Sequence, residues 1–365
     1  MADISVGRKI LFSTVIVVLM LGLCEGALRA RAWMKYGSAA TTVRDPMLVY
    51  DAASELFVPR PGYEITGNRI GIKINSLGFR GDEFTREKAP NTIRIVCLGA
   101  STTFNAEVTS NHATWPHQLQ EKLRATYPGV NIEVINAAVG GYTSAENLRN
   151  LKYRVIPLDP DLVIYYEANN EIVSDTRALA LREGIAGENR VPPLVAAVSR
   201  YSLMADLAYK NLAILARSRD TSTKKMDAIP ANLPDHFIAT LDQMRATLAE
   251  HNIPLVLSTF IVKYRRNQDR ATQVANADVA FYYMPWMSID GMLDAMDRYN
   301  GAILAYGRAH AVPVVDDREA IPPDAEHFSD CMHLVDKGAE RMADRFARFL
   351  RSSELFATLL ATGHS

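Results

Sequence analysis

From residue 92 onward, short apolar runs alternate with amphipathic stretches, and this rhythm restricts the possible folds more than any other property of the chain. Ile93 to Leu98, Ile132 to Ile135, Leu162 to Tyr166, Leu255 to Phe260 and Val312 to Val315 read as strands. Trp115 to Tyr127, Ser144 to Val155, Leu233 to His251, Tyr299 to His310 and Lys337 to Arg351 have helical spacing. In the first of these, Trp115, Leu119, Leu123 and Tyr127 share one face. Strands that alternate with helices predict a parallel sheet covered on both faces and connected by right-handed crossovers. The composition agrees: 22% charged and 48% hydrophobic residues exclude wholesale disorder. Forty Lys and Arg against 41 Asp and Glu leave no cationic surplus for neutralising a nucleic-acid backbone.

The apolar residues are not evenly spread. Ile10 to Cys24 is a run of fifteen positions without a charge, preceded by Arg8 and Lys9. A basic start before a 7–15-residue apolar stretch is the layout of a secretory signal. No small-residue cleavage site follows, since the chain continues Glu25-Gly26-Ala27-Leu28-Arg29, and Leu23 before Cys24 is too bulky for a lipoprotein signal. The expectation is an uncleaved signal anchor. Three cysteines, Cys24, Cys97 and Cys331, cannot make a disulfide framework and show no zinc spacing.

Residues 36 to 90 carry Pro46, Pro59, Pro61 and Pro90 with little periodicity, apart from an alternating strand-like segment from Ile70 to Asn75. The chain therefore divides into a signal anchor at 1–27, an irregular arm at 28–90, an α/β domain at 91–352 and a tail at 353–365. Two insertions interrupt the domain. Residues 172–232 hold Pro192-Pro193, an apolar helical stretch from Leu194 to Arg217 and a polar run from Ser218 to Asp227. Residues 261–298 hold the cluster from Tyr282 to Met287. Each insertion reads as a lid or substrate wall, or as core packing. The same two readings apply to Tyr165 and Tyr166.

Three loops at strand ends carry the chemistry. The first strand runs into Gly99-Ala100-Ser101-Thr102-Thr103, which puts a serine where ligands bind in open α/β sheets. The absence of G-x-S-x-G disfavours an α/β-hydrolase elbow. The second strand ends in Asn136 through Thr143 and the third in Glu167-Ala168-Asn169-Asn170-Glu171, loops able to offer N–H donors to an oxyanion. Before the last helix stands Asp330-Cys331-Met332-His333, a spacing that lets the carboxylate reach the imidazole. His327, Asp330 and His333 also recur at intervals of three, a metal-like pattern without a further ligand cluster.

These blocks, in this order over residues 95 to 333, resemble the SGNH (GDSL-type) hydrolase superfamily. The segment Ile74 to Gly81 is similar to the arm of its bacterial, membrane-anchored members. The resemblance implies a three-layer α/β/α sandwich with a five-stranded, mainly parallel, flavodoxin-like sheet, plus an N-terminal transmembrane helix. It makes Ser101 the nucleophile, His333 the general base and Asp330 the group that orients it. The oxyanion donors would be the backbone N–H groups of Ser101 and Gly141 and the side-chain amide of Asn170, with Gly140 and Asn169 as competitors. Ala100, Ala168 and Glu171 depart from the family's Asp, Gly and Asp.

The implied activity is hydrolysis of carboxylic esters through an acyl-enzyme, with O-acyl (acetyl) groups on a glycan or a small ester as substrate. A lipid-acyl or thioester hydrolase, an acyltransferase, and a non-catalytic polysaccharide-binding envelope protein are the alternatives. No cofactor, metal or nucleic acid belongs to the reading. The expected location is the bacterial inner membrane, single-pass, with the catalytic domain exported to the periplasm or cell exterior.

Overall fold

The computed structural model describes residues 5–36, 47–67, 69–186, 192–199, 201–219 and 224–362. Residues 37–46 of the expected arm, residues 220–223 of the polar run and residues 363–365 of the tail lie outside them.

The chain begins with a long helix, α1 (Val6–Tyr36). Its segment Val6–Met34 is long and apolar enough to cross a membrane, and nothing in its most apolar stretch is buried against the protein. Where the sequence shows only an arm, two antiparallel hairpins form: β1 (Leu48–Asp51) with β2 (Leu56–Pro59), and β3 (Glu64–Thr66) with β4 (Gly71–Lys73). Strand β4 falls in the alternating segment from Ile70 to Asn75, whereas the other three are too short to announce themselves by alternation.

The domain proper follows the β/α rhythm. Strand β5 (Thr92–Gly99) leads into a short helix α2 (Ser101–Phe104), then α3 (Trp115–Thr126), β6 (Asn131–Asn136), α4 (Ser144–Asn150) and β7 (Leu162–Tyr166). The helix expected to reach Val155 loses α-helical form after Asn150, becoming a π turn and then a 3-10 turn at Ile156–Leu158. Pro157, which has no N–H to donate, sits in that last turn. Helices α5 (Asn169–Arg182), α6 (Pro193–Ser199) and α7 (Leu203–Arg219) follow, then α8 (Asp235–Ala249), β8 (Leu255–Ser258), α9 (Arg270–Asn276) and α10 (Asp278–Tyr283). The next helix, α11 (Ile289–His310), starts ten residues before the expected Tyr299. Its start signal is Ser288, whose hydroxyl accepts the Gly291 N–H as an N-cap. Strand β9 (Val314–Val315), α12 (Asp336–Ser352) and α13 (Glu354–Thr362) complete the chain.

The five strands pair in the order β6-β5-β7-β8-β9, all parallel. This is the flavodoxin-like order, with its switch point between β5 and β7. Both strands are buried along their whole length, as a sheet covered on two faces requires. Helices α3 and α12 pack together in one flanking group, with Trp115 stacked on Phe346 at 4.7 Å. Helices α4, α5, α8 and α11 make the other.

Buried arginines tie peripheral segments to the sheet. Arg94, inside β5, pairs with Glu133 at 2.9 Å and donates to the carbonyls of Thr85, Arg86 and Leu158. Arg80 is 3% exposed and joins the arm to the loop behind Ser101. It donates to the carbonyls of Phe104, Asn105 and Gly71 and to the Asn111 side chain, all neutral oxygens. Burial pushes its guanidinium down to about 9. Removing that fork would leave buried carbonyls unpaired. Arg80→Met should therefore cost about 2–4 kcal/mol of stability, with Arg80→Lys recovering part of it. Urea unfolding of the full chain in detergent checks this, and an unchanged midpoint for Arg80→Met refutes it.

Candidate active site

The site begins with a steric constraint at the end of β5. A Cβ at Gly99 would lie 2.4 Å from the Tyr166 carbonyl oxygen and 2.5 Å from Thr103 Oγ1, so a glycine is needed for the chain to turn directly off the sheet. Ser101 becomes the first residue of α2, half-buried above the carboxyl end of β5. The turn is pinned by Thr103 Oγ1 donating to the Tyr166 carbonyl at 3.1 Å.

The loop after β6 is drawn against this turn. Asn136 donates to the Thr103 carbonyl at 3.0 Å and accepts from the Ala138 N–H. A Cβ at Gly140 would come 4.0 Å from Ser101 Cβ, which places the loop beside the serine. Gly141 has a φ of +86°, a conformation that favours glycine. Tyr142 then donates its hydroxyl to the Phe57 carbonyl at 2.8 Å, so hairpin β1–β2 supports this loop from outside.

The loop after β7 is held by two glutamates. Glu171 accepts from both the N–H and the hydroxyl of Ser144, at 2.8 and 2.7 Å, clamping the start of α4 to α5. Glu167 accepts the Asn170 N–H at 2.6 Å. Asn170 is half-buried, and its Nδ2 donates to the Tyr142 carbonyl at 2.9 Å. An amide nitrogen has two protons, so one donor remains. Asn169, its competitor from the sequence, is buried, with its Oδ1 unpaired.

Opposite these loops, residues 327–335 fold back on themselves. The Ser329 N–H donates to the His333 carbonyl at 2.8 Å, and Asn105, just behind α2, donates to the Leu334 carbonyl at 2.9 Å. Asp330 accepts the N–H groups of Met332 and His333 on Oδ1, each at 2.8 Å, while its Oδ2 lies 2.7 Å from His333 Nδ1. His333 Nε2 lies 2.9 Å from Ser101 Oγ. With Nδ1 facing a carboxylate, the proton belongs on Nδ1 and Nε2 is the acceptor for the serine hydroxyl. Burial pushes the imidazole pKa down, but the Asp330 hydrogen bond and charge, helped by Glu107, outweigh it and raise His333 above 6.5. Asp330 moves oppositely: burial raises it, while His333 and two backbone N–H groups hold it below 3.8.

Other sequence candidates fall elsewhere. His327 pairs with Asp324 at 2.7 Å instead of joining Asp330 and His333. Tyr165, Tyr166, Met284, Trp286 and Met287 are core residues, with Trp286 bonded to Thr176 at 3.1 Å. Cys97 and Cys331 are buried thiols, both pushed up by burial. A cleft of about 430 Å³ over the carboxyl ends of β8 and β9 includes Arg265, Arg266, Asp297 and Glu319, which pair with one another. Asp82, His112 and His117, which no motif in the sequence marks, bring three possible ligand atoms within 4.8 Å of one another beside the arm. Glu167 bonds within its own loop, whereas the partners of Arg80, at Gly71, Phe104, Asn105 and Asn111, meet only once the strands are assembled.

Residues 97–341 match the family described as GDSL-like Lipase/Acylhydrolase. No curated protein matches the sequence. Among solved structures, an acetylxylan esterase from Geobacillus stearothermophilus is similar at 16% identity, covering 72% of this chain and 95% of that one with a TM-score of 0.44. A lipase/acylhydrolase from Enterococcus faecalis is similar at 17% identity, covering 71% and 95% with a TM-score of 0.42. An alpha/beta hydrolase enzyme from the metagenome of Lake Arreo is similar at 16%, covering 70% and 94% with a TM-score of 0.44. With the family matched over most of its length, the chain belongs to the GDSL-like lipases and acylhydrolases and is an ester-hydrolysing enzyme.

Proposed function

We propose that the protein is a serine esterase in which Ser101, His333 and Asp330 form a catalytic triad. The observation that carries this reading is the unbroken line from Asp330 Oδ2 through His333 to Ser101 Oγ, with steps of 2.7 and 2.9 Å. In the proposed mechanism His333 Nε2 takes the Ser101 proton as Oγ attacks the ester carbonyl. The tetrahedral oxyanion is held by the N–H groups of Ser101 and Gly141 and the second Nδ2 proton of Asn170. His333 returns the proton to the leaving alcohol, and water attacks the acyl-enzyme by the same route.

The substrate we infer is an O-acyl, foremost acetyl, ester on a carbohydrate or small alcohol, bound by shape and a few polar groups. A second reading, a lipid-acyl or thioester hydrolase or an acyltransferase, is favoured by the exposed apolar side chains of α6 and α7. In the proposed arrangement α1 is a single-pass anchor in the bacterial inner membrane. The arm then leads to one exported catalytic domain at 91–352.

Glu167 acts here as a positioning residue for Asn170. Burial, reinforced by the charge of Glu171, pushes its carboxyl up to about 8 against three backbone N–H groups that pull it down. The folded protein then holds a proton that the unfolded chain releases near 4.5, so stability declines as pH rises from there to about 8.

Ser101→Ala should cut hydrolysis of p-nitrophenyl acetate by at least about 1,000-fold with the fold retained by circular dichroism. Retained turnover would refute the triad. The acid limb of kcat/KM should lie above pH 6.5, because the base works only as neutral imidazole and its pKa is raised. In Asp330→Asn, where only the charge of Glu107 still opposes burial, the limb should move to lower pH while kcat falls by about 10,000-fold. A limb that stays in place would remove Asp330 from this role. Glu167→Gln keeps an acceptor for the Asn170 N–H and removes the titration. It should flatten the loss of Tm between pH 5 and 8; a variant whose Tm declines like the parent refutes the assignment.

A further inference from the structure

The apolar run of α1 ends at Glu25, and this carboxylate is spent inside the protein. Its Oε1 accepts the Leu203 N–H and its Oε2 the Met204 N–H, each at 3.0 Å, with the Ser202 hydroxyl on Oε2 at 2.9 Å. Arg29, one turn further along α1, pairs with Glu25 at 2.7 Å and donates to the Tyr201 carbonyl at 2.7 Å. The first turn of α7 is thereby fastened to α1 where its apolar segment stops, and the two helices pack together.

The segment fastened there exposes large apolar side chains: Leu194 of α6 is 76% exposed and Val198 45%, Tyr201 in the turn between the helices 79%, and Leu212 of α7 65%. One such residue on a soluble surface is ordinary; four on two adjacent helices and the turn that joins them, beside a membrane-spanning candidate, are not. Helix length points the same way. Within the membrane-spanning segment, the fifteen charge-free positions Ile10 to Cys24 cover roughly 22 Å of the ~30 Å hydrocarbon core, so a helix that crosses the bilayer brings Glu25, and whatever is docked on it, to the lipid interface. A carboxylate at that depth needs partners, and the α7 N-terminus with Arg29 supplies them. On its other side α7 packs against α10. Lys210 of α7, bonded to Asp206 at 2.9 Å, feels the phenols of Tyr282 and Tyr283, and Tyr283 in turn feels Asp330.

We propose that α6 and α7 form a membrane-docking face that lies in the surface of the bilayer crossed by α1, with Leu194, Val198, Tyr201 and Leu212 in the lipid interface. Through α10, this holds the Asp330–His333 loop beside the membrane and favours esters presented from a bilayer over the same esters in water. That substrate consequence rests on the esterase reading; the docking itself does not.

The test uses the full-length chain in vesicles of phosphatidylcholine and phosphatidylglycerol. In a Cys24→Ser background, nitroxides are placed at Leu194→Cys, Leu212→Cys and, as control, Glu87→Cys near the amino end of β5. Docking predicts oxygen-to-nickel-chelate accessibility ratios at 194 and 212 at least about fivefold above that at 87. Ratios equal to the control overturn it, as does spin–spin broadening at 212 without a raised ratio, which would mean a second copy covers this face. A Leu194→Glu, Leu212→Glu double variant should raise KM for a vesicle-borne ester about tenfold and leave p-nitrophenyl acetate hydrolysis unchanged. Equal losses on both substrates would overturn the presentation role. Failure of the esterase reading is seen separately, as Ser101→Ala retaining turnover while the accessibility ratios keep their values.

Discussion

The contact that everything else depends on is the closeness of β5 and β7 at Gly99. With no room for a Cβ against the Tyr166 carbonyl and Thr103, the chain leaves the sheet at the one point where the strand order diverges. Ser101 follows β5 and Asn170 follows β7, so two groups 69 positions apart in sequence emerge on either side of the same switch point. A one-residue slip in the β5–β7 register, now Gly99 opposite Tyr166, would turn every side chain of β5 over and carry the serine away. The position of Ser101 is thus set by sheet register before any side-chain hydrogen bond is considered.

Register alone does not hold loops in place, and here buried polar groups do. Arg80 gathers carbonyls behind α2, Glu171 clamps α4 to α5, and Arg345 bonds Ser258, Thr259 and the Val315 carbonyl at the far strands. Each is a costly group to bury, tolerable because its hydrogen bonds are largely met. All three join segments that the hydrophobic core leaves loose: an arm, a loop and a short edge strand. Apolar packing fixes the sheet and its helices, and these polar clamps fix the ends where the site lies.

This division explains what could be read from the sequence. The β/α rhythm and the Ser101, Asn170 and Asp330-to-His333 loops were legible because they express local rules: apolar period, turn chemistry and a three-residue Asp–His spacing. Hairpin β1–β2 and strand β3 were not, since their few residues carry too little pattern, whereas the alternation from Ile70 to Asn75 does mark β4. Nor was the early start of α11, whose capping serine is hidden in a cluster of aromatic and methionine residues. Arg80 and Glu25 illustrate a harder limit. Their partners lie 24 and 178 residues away, at Phe104 and Leu203, and no local pattern marks a hydrogen bond closed by the whole fold.

Asp330 and Glu167 show how the scaffold assigns opposite states to like side chains. Asp330 accepts two backbone N–H groups and faces an imidazole, so the ionised form is favoured despite burial. Glu167 also accepts backbone N–H groups, but it is buried more completely and lies beside Glu171, so the protonated form is favoured. The difference follows from position on the sheet. A carboxyl still flush with β7 is desolvated by the strands around it, whereas one on a loop over the strand ends keeps enough polar company to remain charged. In the proposed mechanism the two states divide the work: the Asp330 anion steadies an imidazolium, and the neutral Glu167 braces the Asn170 loop without adding negative charge beside it.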